Sequence, residues 1–284
     1  MEIEELWEFG DPAASEQRFR EALGRGSADD DLELQTQLAR TYSLRRRFDD
    51  AHRTLDAIEP QLPAAAPAVR ARYLLERGRT LRSSGQPEAA RPRFLEAYDT
   101  ARSAGLTGLA VDAAHMLAIV TPLTEATQWT ATGIELARAA APDDRLARGL
   151  LPPLLNNQAW NLHDAGRYDE ALALFMEAET AWLATGRQPQ GRIATWSVAR
   201  ALRSLGRHDD ALDRLRQLEL QWQAAGSVDG YVFEEIAENL DAQGRTDDAR
   251  PYFGRAAEEL GKDPSFARDH AARLQRLTDR GRAP

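Results

Sequence analysis

The chain has 284 residues, 43% hydrophobic and 29% charged, with a formal net charge of −9 at pH 7. That composition belongs to a chain able to bury a sizeable core, and it excludes a disordered polymer. The negative balance excludes nonspecific nucleic-acid binding over the whole surface, because phosphate attraction needs a basic footprint.

In chain order, residues 1–30 contain one helix-like segment, Asp11–Leu23, which reads as a partial repeat. From 31 to 262 the sequence repeats itself. The clearest copies are Gly166-Arg167-Tyr168-Asp169-Glu170-Ala171, Gly206-Arg207-His208-Asp209-Asp210-Ala211 and Gly244-Arg245-Thr246-Asp247-Asp248-Ala249. A looser copy is Gly85-Gln86-Pro87-Glu88-Ala89-Ala90, and Arg46-Arg47-Phe48-Asp49-Asp50-Ala51 carries arginine in the glycine place. The physics predicts a glycine ending one helix in the left-handed conformation and an acidic pair in the first turn of the next.

The flanks follow the same register. Four residues after the anchor alanine stand Leu55, Phe94, Phe175, Leu215 and Phe253. Nine before it stand Tyr42, Leu81, Leu162, Leu202 and Leu240; twelve before it the residue is always small, Ala39, Gly78, Ala159, Ala199 or Ala237. These offsets put one apolar stripe on each of two helices, with a small residue at their closest approach. A degenerate sixth copy centres on Ala126, with Thr130 and Gly133 in the apolar places, and the weakest stacking is expected there. Trp182 and Trp222, eleven residues after their anchors, continue the buried stripe. Residues 263–284 read as a cap helix over Pro264–Arg280 and a tail, as a stacked array requires at its end.

This small–large–turn–Ala–aromatic pattern resembles the tetratricopeptide repeat, a helix–turn–helix unit. Anchor spacings of 36 to 45 residues resemble its longer-helix variants. The resemblance implies an all-α, right-handed solenoid of about six repeats over residues 1–284. It also implies that first helices line an inner groove, at positions one, four and five beyond the small residue and three before it. On this sequence those positions include Ser43, Leu75, Arg79, Arg82, Val111 and His115, then Asn156, Trp160, His163, Trp196, Arg200, Arg203, Glu234, Glu238 and Asp241.

No catalytic pattern is present: no phosphate-binding glycine loop, no His-Glu-x-x-His, no nucleophile elbow. The chain has no cysteine, which excludes a disulfide and a thiolate zinc site, and its five histidines are scattered; neither a cofactor nor a metal is expected. No stretch reaches the roughly 18 apolar residues of a membrane span, and the acidic Met1–Glu5 lacks the features of a signal peptide, so a cytoplasmic location is expected. Lys262 is the sole lysine among the cationic residues, as in proteins of GC-rich, bacterial genomes, and arginine binds carboxylates bidentately. The expected function is a non-enzymatic scaffold for a protein or peptide, through an acidic or C-terminal carboxylate element, without nucleic acid or membrane. The alternative is a sensory module for a small anion or signalling peptide. Trp196 and Arg200, at i and i+4, also suit a simple mutual stack.

Overall fold

A computed structural model describes residues 3–8 and 10–282. After a 3₁₀ turn at Ile3–Leu6, the helices are α1 (Pro12–Ala22), α2 (Ala28–Leu44), α3 (Phe48–Ile58), α4 (Pro67–Ser83), α5 (Pro87–Ser103), α6 (Thr107–Val120), α7 (Leu123–Ala139) and α8 (Arg145–Asp164). They continue as α9 (Tyr168–Ala184), α10 (Gln188–Ser204), α11 (His208–Ala224), α12 (Gly230–Ala242), α13 (Thr246–Gly261), α14 (Pro264–Asp269) and α15 (Ala271–Arg282). A second 3₁₀ segment, Glu59–Ala64, separates α3 from α4. No strand occurs among the described residues.

The repeated signature is a helix stop followed at once by a helix start. Gly85, Gly166, Gly206 and Gly244 hold φ between +72° and +90°. The next amide donates back to the apolar residue nine before the anchor: Gln86 to Leu81, Arg167 to Leu162, Arg207 to Leu202 and Arg245 to Leu240, at 2.9–3.0 Å. This is the Schellman closure, which satisfies carbonyls the helix end leaves free. The arginine then sits at the N-cap of the following helix and donates from Nε to the carboxylate three residues on, Arg167 to Glu170 (2.6 Å) and Arg207 to Asp210 (2.8 Å). So the Gly-Arg-x-Asp/Glu-Asp/Glu string encodes a turn and its own brace.

Packing follows from the same register. The anchors Ala51, Ala90, Ala171, Ala211 and Ala249 are wholly buried, as are Phe94, Phe175 and Phe253 above them. Ala39, Ala159, Ala199 and Ala237 are equally closed off. A methyl group on Gly78 would stand 2.5 Å from the Phe94 ring, so this repeat places its largest ring against its smallest residue.

The chain divides into two compact units, Met1–Leu154 and Leu155–Pro284. The division falls inside α8, immediately after Pro152 and Pro153, whose rings remove two helical N–H donors. In the first unit, α2 through α7 stack as helical hairpins around Leu55, Ile58, Leu75, Phe94 and Leu117. In the second, α9 through α13 do the same around Phe175, Leu212, Leu215, Ile236 and Phe253, and α15 closes on α13 with Leu277 buried.

Several expectations change. Ala126 is only half-buried, while Thr130, Gly133, Ile134 and Ala137 form the buried stripe of α7. Thr130 is accommodated because its hydroxyl donates to the Ala126 carbonyl (2.8 Å). Trp182 and Trp222 are half-buried instead of core; Trp222 lies at the core margin with the Arg192 guanidinium 4.6 Å from its ring. The single cap helix is two, α14 and α15, parted at His270.

Arg46 takes the left-handed turn without glycine, at φ +60°. A side chain there costs about 1 kcal/mol or more. Arg46→Gly is expected to raise stability by roughly 0.5–1 kcal/mol, read from the urea midpoint. Gly78→Ala is expected to lower it by about 1–3 kcal/mol through overpacking against Phe94.

Candidate binding surfaces

The first helices of the first unit share a wall of alternating charge. Arg79 donates to Glu76 (2.5 Å), one turn earlier on α4, and reaches across to Asp112 on α6. Arg40 on α2 approaches the same Glu76 at 3.5 Å. Glu76 and Asp112 are buried. Burial alone would push the Asp112 carboxyl up, but Arg79 and then Arg40 hold it below its ordinary value. Burial pushes the half-buried His115 imidazole down against the pull of Asp112, and repulsion from Arg79 and Arg82 adds to the lowering. Arg82 is exposed.

The second unit carries a cavity of about 530 Å³ lined by Trp160 of α8, Trp196, Arg200 and Arg203 of α10, Glu234, Glu235 and Glu238 of α12, and Arg273 and Arg276 of α15. Trp160 meets Phe175 edge-on at 4.9 Å and lies 6.1 Å from Trp196, so it is packed along one side. Trp196 donates its indole N–H to the Tyr231 carbonyl (3.1 Å). Ring packing holds Trp160 and a hydrogen bond holds Trp196, and the two indoles together line the cavity.

The rest of the lining is charged. Arg203 forks onto the buried Glu235, with Nη2 at 3.1 Å from Oε2. Arg273 forks onto Glu234 at 2.6 and 2.8 Å. Arg276 bridges Glu234 (3.2 Å) and Glu238. Arg200 differs: its nearest carboxylate, Glu235, is 3.9 Å away, and it donates instead to Ser204 Oγ (2.6 Å). Burial, and after it the neighbouring Arg203, pushes the Arg200 pKa down. Four guanidiniums thus face three carboxylates, and Arg200 is the one in excess.

Of the sequence-derived groove residues, Trp160, Trp196, Arg200, Arg203, Glu234 and Glu238 come together on this cavity. Arg79, Arg82 and His115 group separately in the first unit. Asn156 and His163 are outside the cavity lining; His163 is buried, its Nε2 2.9 Å from Ser204 Oγ, and burial followed by repulsion from Arg200 pushes its pKa down. Ser43, Leu75 and Val111, placed in the groove by family geometry, are buried instead; the residues after Leu75 and Val111, the buried Glu76 and Asp112, are the ones that meet Arg79. Asp241 is taken by Arg280.

Sequence reasoning missed Glu76, Asp112, Glu235, Arg273 and Arg276. Each stands close to one repeat length from the arginine or glutamate it meets: 36, 33, 32, 39 and 38 residues. Opposite charges one repeat apart were the available signal. Among the described residues no group of three metal-ligating side chains is close enough to hold an ion, and no helix is long and apolar enough to cross a membrane.

The sequence model of the Tetratricopeptide repeat family matches residues 151–219. Over that stretch the chain is similar to the tetratricopeptide repeat family. No curated protein sequence matches it, but solved structures share the fold. The apo form of RapI superposes with a TM-score of 0.73 at 11% identity, covering 98% of this chain and 78% of that one. A signal transduction ATPase with numerous domains and a tetratricopeptide repeat sensor, from Pyrococcus horikoshii, gives 0.70 at 13% identity. The match covers 94% of the present chain but only 42% of that protein, so this chain spans less than half its length. The apo form of the quorum sensor NprR from B. thuringiensis gives 0.61 at 14% identity, covering 97% and 78% of the two chains.

The imidazoles of His115 and His163 have pKa values below the ordinary 6.5, so folding withholds protons that the unfolded chain takes up. Their contribution is complete above about pH 6.5 and is lost as the pH falls through that value. His115→Gln is therefore expected to flatten the fall in melting temperature between pH 7 and pH 5, measured side by side with the parent chain.

Proposed function

We propose that this chain is a non-enzymatic scaffold that holds a peptide or protein segment on the first-helix wall of its second unit. The observation that carries this reading is the surplus guanidinium of Arg200 beside two indoles already fixed in place. Arg203, Arg273 and Arg276 are neutralised within the chain, so the carboxylate of a ligand meets Arg200 first. In a site shielded by Trp160 and Trp196, a charge-assisted hydrogen bond there is stronger than in water. The indoles supply apolar area at little entropic cost, since their rotamers are already held. Ser204, released by Arg200 and in contact with His163, is left to hydrogen-bond a ligand amide.

This narrows the acidic element to one carboxylate. A polyacidic segment would meet Glu234, Glu235 and Glu238 as well as the arginine, and like charges facing each other in a poorly solvated cleft repel. A second reading, a sensory module for a small anion or signalling peptide, draws on the fold shared with NprR, one structure of which is in complex with its cognate peptide NprX (TM-score 0.52, 15% identity). The two readings use the same cavity and differ in ligand size.

The test is affinity capture from native lysate with the parent chain and with Arg200→Gln. A specific partner bound by the parent is expected to lose at least tenfold in affinity on the variant, while the helical circular dichroism is unchanged. Equal capture by both removes Arg200, and with it this cavity, from the proposed function.

A further inference from the structure

The first unit carries a segment of its own on its first-helix wall. Ile3–Leu6 forms a 3₁₀ turn, and Ile3 is 2% exposed, seated with Phe19, Leu34 and Leu38. Glu4 accepts from Arg72 of α4 at 2.7 Å. Trp7 donates its indole N–H to Gln37 Oε1 of α2 at 3.0 Å, meets Phe19 edge-on at 5.1 Å, and has the Arg40 guanidinium 5.2 Å from its ring. Glu5 pairs with Arg145 at the start of α8. The strip Glu4-Glu5-Leu6-Trp7 therefore touches α2, α4 and α8 by side chains.

Three features make this strip a ligand and its seat a binding site. The polar contacts named above with α2, α4 and α8 are side chain to side chain, so none of them is part of a helix ladder. Arg72 Nε has a second carboxylate, Glu33 of α2, at ion-pair distance (2.8 Å), so departure of the strip leaves the guanidinium a counter-charge. The seat extends the stripe of Arg40, Glu76 and Arg79, since Glu33 and Arg72 each stand seven residues, two turns, before Arg40 and Arg79 on the same helix faces.

We infer that the wall around Gln37, Arg40 and Arg72 is a recognition site for acidic–aromatic peptide segments, with a glutamate for Arg72 and a tryptophan for Gln37 and Arg40, and that Ile3–Trp7 is its resident occupant. The site lies in the first unit and goes beyond the function proposed for the second. Its ligand chemistry also differs: here the aromatic ring is brought by the ligand, there by the protein. A tethered occupant acts at an effective concentration of about millimolar, so a free segment of the same chemistry binds only when the resident is weakened.

The experiment titrates a fluorescein-labelled peptide with the sequence of residues 1–10 into three full-length chains: the parent, E4Q/W7A, and E4Q/W7A/R72Q. The peptide is expected to bind E4Q/W7A at least tenfold more tightly than the parent, and to lose that gain with Arg72→Gln. A peptide carrying the glutamate-to-glutamine change at position 4 is expected to bind E4Q/W7A more weakly, but to bind E4Q/W7A/R72Q no worse than the unaltered peptide does, the coupling of a direct pair. Absence of binding to E4Q/W7A with an intact helical spectrum overturns the inference, as does binding indifferent to Arg72. Should E4Q/W7A not fold, Glu4→Gln alone, which leaves Ile3 and Trp7 in place, is read in the same way, with a threefold gain expected and no gain refuting the site.

Discussion

Within each repeat, the two helices touch where one of them has almost no side chain. Ala39, Gly78, Ala159, Ala199 and Ala237 allow that approach, and Leu55, Phe94, Phe175, Leu215 and Phe253 fill the space around it. Close packing of this kind has little slack, as the 2.5 Å from Phe94 to a methyl on Gly78 illustrates. This contact sets the separation of the two helices of a repeat, and the first helices of successive repeats also touch directly, α2 with α4, α4 with α6 and α10 with α12. Side chains on neighbouring first helices therefore meet at ion-pair distance.

The charges on these walls follow from that geometry. Glu76 and Glu235 are nearly closed to water, and an isolated carboxylate there would be strongly destabilising. Each is held by arginine: Glu76 by Arg79 and Arg40, Glu235 by the fork of Arg203. Removing one partner of a buried pair typically costs about 3–5 kcal/mol, because the other charge is left behind. Most of the wall's arginine is therefore committed to holding carboxylates in place. What remains for a ligand is the residue that pairing leaves over, Arg200.

The repeats were legible because they rest on local rules: a left-handed glycine, a braced acidic pair, and two stripes at helical spacing. Even the exception at Arg46 could be placed by register. The wall was harder to read. Family geometry named Arg79, Arg200 and Arg203 correctly as first-helix residues, but their partners Asp112 and Glu235 belong to the next repeat and could be joined to them only once the helices were stacked. That Leu75 is buried while its neighbour Glu76 meets Arg40 and Arg79 depends on how α4 packs between its neighbours, and a fixed offset from Gly78 does not contain it. Residues 263–284 showed the same limit from the other side: they read as a solvating cap, whereas Arg273, Arg276 and Arg280 reach the carboxylates of α12.

Pairing across repeats also restrains how such a chain can change over generations. Duplicating or deleting one helical hairpin is the simplest way to lengthen or shorten a repeat array, and it leaves each hairpin's apolar packing intact. In this chain the same event would part Arg79 from Asp112, or Arg203 from Glu235, and set each against a stranger. Viable rearrangements must therefore move whole charge pairs, or alter two positions roughly one repeat apart together. A repeat unit here inherits its neighbour along with itself.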